Sequence, residues 1–310
     1  MKSSIRRYLI ITVAIAIILV ITTSPYYLPS QRQTANPKFE PESQIIGHIH
    51  SLYVDSVNAN LMLLGTHEAL FRSNDKGSTW IAVKTRSDVP GDFMAITSDA
   101  TRKPNILYAI GHGMFVVKSV DGGKTWQTIK QGLTNNDVHA IAIARNDPNI
   151  LYVWVVDNGL FRSKNGGASW ERINDGPPNS NVLALASVNI STGMGGGGIY
   201  LYAGTSGGLY RSADCFCGWN KVSNLFDSKT IFSLAVSPTN PSIMFASTSD
   251  GVYRSDDAGA NWKNVGNGLE GVDVAALTFD ASDPNNIYVV NNIGVVYYSN
   301  NLGESWARFK

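Results

Sequence analysis

From Gly47 to Lys310 the apolar residues fall in short runs, each closed by a cluster of Asn, Asp, Gly, Pro or Ser. In the first unit Ile49 to Val54 alternates as a strand does, and Asp55-Ser56-Val57-Asn58-Ala59-Asn60 reads as a turn. Leu61 to Gly65 predicts a second strand, Ala69 to Arg72 a third, and Trp80-Ile81-Ala82-Val83 a fourth. The same order returns along the chain. The first turn recurs as Asp147-Pro148-Asn149 and as Asp283-Pro284-Asn285-Asn286, and the third strand as Leu160-Phe161-Arg162, Leu209-Tyr210-Arg211 and Val252-Tyr253-Arg254. Six units of four strands predict an all-β, six-bladed β-propeller of four-stranded antiparallel blades. The blades are expected at 47–84, 93–130, 138–174, 182–223, 231–266 and 273–310.

Between the third and fourth strands of each unit lies an octapeptide, S-x-[DN]-x-G-x-[TSN]-W. Its clearest copy is Ser119 to Trp126. Others run Ser73 to Trp80, Ser163 to Trp170, Ser255 to Trp262 and Ser299 to Trp306. A sixth, Ser212 to Trp219, keeps its ends and loses its middle. Six of the seven tryptophans therefore mark the period, with only Trp154 outside it. Short polar side chains at positions one and three bond backbone N–H groups of a tight turn, and glycine at position five supplies positive φ. Tryptophan then buries a large ring carrying one polar N–H. The residues assigned to this structural role are Asp75, Trp80, Asp121, Trp126, Trp170, Asp214, Trp219, Asp257, Trp262 and Trp306.

These octapeptides resemble Asp-boxes, also called BNR repeats, over about 85% of the chain. Asp-box propellers occur in sialidases, xyloglucan-degrading glycosidases, sortilin-type receptors and a photosystem II assembly factor. The resemblance implies the fold; its members share no single activity. Gly47-His48-Ile49-His50 and Gly65-Thr66-His67-Glu68 also resemble stretches of bacterial proteins labelled glycosyl hydrolases on BNR similarity.

The N-terminus carries Lys2, Arg6 and Arg7, then an apolar run from Tyr8 to Ile21. This predicts a hydrophobic helix over residues 1–24, either a cleaved signal peptide or an uncleaved anchor, with a buried core helix as the plain alternative. The first two readings place the repeats outside the cytoplasm, secreted or held at a membrane through that segment. Residues 25–44, with Pro25, Pro29, Pro37 and Pro41, predict an extended spacer, and 45–310 the propeller. A monomeric propeller is expected. Net charge is +1, with no basic block beyond the extreme N-terminus, so no nucleic-acid partner is indicated.

The two cysteines, Cys215 and Cys217, fall in the degenerate fourth box, where Phe216 replaces the glycine. A strained Cys-x-Cys disulfide, two free thiols, and a metal or redox role are all open. Ser191 to Gly198 is a glycine-rich insertion. No Lys-Ser/Thr follows it, so a loop is expected rather than a phosphate cradle.

Strand order in a propeller puts the octapeptides on one face. The blade links and the turns between second and third strands lie on the other, where the resembled glycosidases hold their active site. This second face receives His48, His50, His67, Glu68, His112, His139, Asp157 and Asp250 as binding candidates, and it receives all five histidines. The plain reading is a polar ring that satisfies backbone at the hub. Asp92, Asp137 and Asp273 can be drawn into a glycosidase pair, but nothing in the sequence selects them. A sialidase arginine cluster is not expected, because Arg72, Arg162, Arg211 and Arg254 occupy one repeat position in separate blades. No cofactor and no metal site is assigned; zinc or copper on the five histidines is one form of the binding reading. The expected function is a non-catalytic propeller meeting a protein, peptide or glycan on the channel face. A glycoside hydrolase of the Asp-box type is the alternative, and a purely structural secreted module the second.

Overall fold

The computed structural model describes residues 48–85, 91–99, 103–178, 181–189, 198–213, 216 and 218–309. The expected N-terminal helix and spacer, Asp214, Cys215, Cys217 and residues 191–197 lie outside the described residues.

Twenty-four strands form six four-stranded antiparallel sheets among the described residues. Blade one holds β1 (Ile49–Val54), β2 (Met62–Thr66), β3 (Leu70–Ser73) and β4 (Ile81–Ala82). Blade two holds β5 (Ala95–Asp99), β6 (Lys103–Ile110), β7 (Val116–Ser119) and β8 (Gln127–Ile129). Blade three holds β9 (Val138–Ile143), β10 (Leu151–Val155), β11 (Gly159–Ser163) and β12 (Glu171–Asn174). Blade four holds β13 (Val182–Asn189), β14 (Ile199–Thr205), β15 (Gly208–Ala213) and β16 (Asn220–Lys221). Blade five holds β17 (Ile231–Val236), β18 (Met244–Thr248), β19 (Gly251–Ser255) and β20 (Lys263–Asn264). Blade six holds β21 (Val274–Phe279), β22 (Ile287–Asn291), β23 (Val296–Ser299) and β24 (Ala307–Arg308). Each blade is a contiguous piece of chain, and β21 packs on β1 to close the ring.

In blade one the second and third strands start one residue later than the alternation predicts. Leu61 belongs to the preceding turn, where its N–H donates to Asn58 O at 2.8 Å.

The octapeptide forms the hydrogen-bonded turn that its residues imply. Ser73 Oγ donates to Asp75 Oδ1 (2.7 Å) and accepts from Gly77 N (2.8 Å). Asp75 Oδ1 accepts from Thr79 N (2.9 Å) and Oδ2 from Thr79 Oγ1 (2.7 Å). In the third and sixth copies Asn165 and Asn301 take the aspartate's place and accept the same backbone N–H. The fourth copy differs: Ser212 Oγ donates to Gly218 O (2.7 Å), and Phe216 adopts φ +50°. Its ring is buried 5.2 Å from that of Tyr152, a contact that offsets the strain of the left-handed backbone.

The tryptophan does more than anchor its own turn. The core divides into six clusters, one between each pair of neighbouring blades, and each box tryptophan packs into the cluster shared with the preceding blade. Trp306 Nε1 donates to Val265 O in blade five at 2.7 Å. Trp80 of blade one reaches back to blade six, where its Nε1 donates to Gly294 O at 3.3 Å. The box glycines let this happen. A Cβ on Gly77 would stand 2.4 Å from Val296 Cγ2, and one on Gly303 would stand 2.7 Å from Phe245 Cε1, each in the preceding blade.

The first strands line a central channel of about 250 Å³. Five of them begin with a register shift. Ile49 pairs with Thr66 and Ser51 with Gly65, so His50 has no cross-strand partner. The same shift leaves out His139, Leu183, Phe232 and Ala275. A bulge of this kind re-aims the extra side chain. Here it turns one residue in each of these five blades toward the mouth of the channel.

Candidate functional site: a histidine and aspartate arc on the channel face

Blades one to three bring the five histidines into one arc. His48 precedes β1, and His50 is the bulged residue of that strand. His67 sits in the β2–β3 turn. Thr66 Oγ1 shapes that turn by accepting from Glu68 N and Ala69 N, and His67 N donates to His48 O at 3.1 Å. Asp92 lies in the link to blade two and His112 in the β6–β7 turn. Asp137 lies in the link to blade three, and His139 is the bulged residue of β9.

The rings touch in sequence along the arc. His48 and His50 stand 5.1 Å apart between centroids, His50 and His67 4.3 Å, His67 and His112 5.6 Å, and His112 and His139 4.6 Å. Two carboxylates thread between them. Asp92 Oδ2 lies 2.6 Å from His112 Nδ1 and 3.1 Å from His67 Nδ1. Asp137 Oδ1 lies 3.0 Å from His139 Nε2 and 3.8 Å from His112 Nε2. The buried His139 ring lies between the Asp137 carboxylate and the Asn181 side chain, and neither contact is aligned as a good hydrogen bond. His50 Nε2, Asp92 Oδ1 and Asp137 Oδ1 are likewise buried without one.

Electrostatics keeps part of the arc uncharged. Burial, with His67 and His48 beside it, pushes the His50 imidazole down to about 4. Burial also lowers His139, against the pull of the Asp137 carboxylate. Both rings are therefore neutral at pH 7, and each keeps a nitrogen lone pair. Three groups gather ligand atoms within 4.8 Å of one another: His48, His50 and His67; His67, Asp92 and His112; His112, Asp137 and His139.

Beside the arc, on the same face, opens a cavity of about 740 Å³. His48 and His50 form one wall, and the loops before β21 and after β18 form the others. Asp250 lies on its rim, bonded to Thr248 Oγ1 (2.6 Å), Tyr253 Oη (3.1 Å) and Lys229 Nζ. Asp273 lies there too, 3.4 Å from Asn292 Nδ2. Glu68 and Asp157 project from exposed turns.

Among the lining residues that the sequence did not single out are Met94, Leu183 and Phe232. Each stands second in its blade's opening run, where an apolar residue would ordinarily be buried. Phe232 is 39% exposed instead. Aligning the six opening runs puts His50, Met94, His139, Leu183, Phe232 and Ala275 in one column, the only signal that would have found them.

The repeat arginines do not converge. Arg72 bonds Asn74, Arg162 pairs with Glu171, and Arg254 pairs with Asp256.

No family model matches this chain, and no curated protein matches it. Solved structures do. The GH74 enzyme from Niastella koreensis aligns over 84% of this chain and 46% of its own, with 17% identity and a TM-score of 0.56. The GH74 xyloglucanase from Xanthomonas campestris aligns over 84% and 47%, with 18% identity and a TM-score of 0.54. YCF48 from Cyanidioschyzon merolae aligns over 86% and 88%, with 14% identity and a TM-score of 0.51. The chain thus spans less than half the length of the two glycoside hydrolases. At these identities the similarity is one of fold.

Proposed function

We propose that this chain is a non-catalytic binding propeller that holds a protein or peptide segment on its channel face. The observation that carries this reading is the cavity of about 740 Å³ at the channel mouth, with an exposed aromatic ring beside it. Phe232, Met94 and Leu183 offer apolar surface, while Asp250, Glu270 and Asp273 offer carboxylates on the rim. A wall that sets apolar side chains beside carboxylates and amides suits a peptide, which brings apolar and charged side chains together, better than the polar faces of a sugar. Asp92 and Asp137, in the links to blades two and three, face imidazoles rather than an open subsite. A glycosidase needs such a pair free on both sides of the bond. The basic and then apolar start of the sequence supports a place outside the cytoplasm; a reporter fused after residue 44 would test it.

Selection of a displayed random-peptide library on the full chain tests the binding reading. Enriched peptides are expected to compete with one another and to lose at least tenfold in affinity to Phe232→Asp, with the melting temperature unchanged. Binding indifferent to Phe232 would overturn the site. Turnover of xyloglucan, an aryl glycoside or a sialoside, abolished by Asp92→Asn or Asp137→Asn, would overturn the non-catalytic reading.

A further inference from the structure

We infer that the histidine and aspartate arc binds two divalent transition-metal ions of the zinc class, one on His48, His50 and His67 and one on His112, Asp137 and His139. This stands apart from the peptide reading and does not depend on it.

The assignment of three groups to two sites follows from Asp92. Its Oδ2 is within hydrogen-bond reach of the Nδ1 atoms of both His67 and His112. A carboxylate oxygen only accepts, so both Nδ1 atoms carry the proton. In a neutral imidazole the Nε2 lone pair is then left open. Asp92 thus does what the outer carboxylate of a metal site does. It fixes the tautomer of two ligands and aims their other nitrogens away from itself. The group centred on Asp92 is the hydrogen-bonded bridge, and the two outer groups are the ligand sets.

The outer groups are short of protons. Around Asp137, the Nε2 lone pair of His112 faces Oδ1 at 3.8 Å, and His139 Nε2 approaches the same oxygen at 3.0 Å off-line. With Nδ1–H given to Asp92, the Nε2 lone pair of neutral His112 faces the Asp137 carboxylate and is repelled by it, and His139, 9% exposed, meets the same oxygen without an aligned hydrogen bond. A cation among these atoms satisfies all of them. Donor atoms of a tetrahedral zinc stand about 3.4 Å apart, and the two separations bracket that spacing. In the other group His50 Nε2 is buried and unpartnered, and His48 and His67 present exposed rings beside it. Imidazole-rich sets with at most one carboxylate favour zinc, copper or nickel over magnesium or calcium.

The test uses the full chain with a tag free of histidine, stripped with a chelator and titrated with Zn²⁺ by calorimetry, with Mg²⁺ as the comparison. Two Zn²⁺ ions per chain and no Mg²⁺ are expected. His48→Ala should remove one equivalent and leave the other, and Asp137→Asn should remove the complementary one. Both metal-free variants should melt where the wild type does. His67→Gln and His112→Gln, on half-exposed turns, give the same split if either first variant is unstable. Zn²⁺ should also raise the wild-type melting temperature in proportion to the logarithm of its concentration. No uptake, uptake untouched by these substitutions, or loss of the same equivalent in both variants, so that the double variant still binds one ion, would each overturn the inference.

Discussion

The carboxylate of Asp92 stands 2.6 Å from Nδ1 of His112, close enough to fix which nitrogen of that ring carries the proton. In metal-free protein His112 is therefore expected as the Nδ1–H tautomer, and Asp92→Ala should let the ring sample both forms. Long-range ¹H–¹⁵N spectra of the imidazoles read this directly. An Nε2–H signature in the wild type would remove the basis for treating Asp92 as the bridge.

Trp80→Ala should cost about 3–5 kcal/mol by opening a cavity where blade one meets blade six. The ring is wholly buried, and its N–H reaches Gly294 O at 3.3 Å. Trp80→Phe should retain most of the packing and lose about 0.5–1.5 kcal/mol with the hydrogen bond. Denaturant titration separates the two. An alanine cost below about 1 kcal/mol would show that the seam is held elsewhere.

The Asp-box turns should weaken in acid. Hydrogen bonds from the Thr125 hydroxyl and N–H hold Asp121 down at about 2, from an ordinary 3.8. Asp75 and Asp257 are lowered too: bonds from Ser73 and Thr79, and from Asn261 and Ser255, outweigh the upward push of burial. A depressed carboxylate contributes stability that is fully present above its unfolded value and lost as pH falls through its folded one. The window here runs from about pH 4 down to about pH 2. Asn165 and Asn301 make the equivalent turns without titrating. Asp75→Asn, Asp121→Asn and Asp257→Asn combined should therefore flatten the fall of stability below pH 4. An unchanged acid slope, read by thermal melting from pH 2 to 6, would refute the assignment.

Blade count and strand order were legible because a box ending in Trp closes every unit and polar turns, Asp-Pro-Asn in two of them, divide the strands, and strand order alone placed all five histidines on one face. The i, i+2 spacing of His48 and His50 reads as one side of a strand; instead His48 precedes β1 and His50 is bulged out of its ladder, with the rings 5.1 Å apart. The bulge at His50 was not legible, since a register shift depends on the partner strand and leaves no mark on its own residues. For the same reason nothing in the sequence singled out Phe232 and Leu183. The tryptophans were legible as anchors but not as joints between blades. Their partners, Gly294 for Trp80 and Val265 for Trp306, are distant in sequence.

The register shifts at the channel mouth separate two demands that a strand residue usually meets together. A residue in a regular ladder must pack against its cross-strand neighbour, so its identity is constrained from both sides. His50, His139, Leu183, Phe232 and Ala275 are released from that constraint, because the ladder closes around them. The column already holds imidazole, aliphatic, aromatic and methyl side chains at the same register shift. It works as a socket with interchangeable pins. Rewriting these positions should change what the propeller recognises while leaving the barrel of blades beneath untouched.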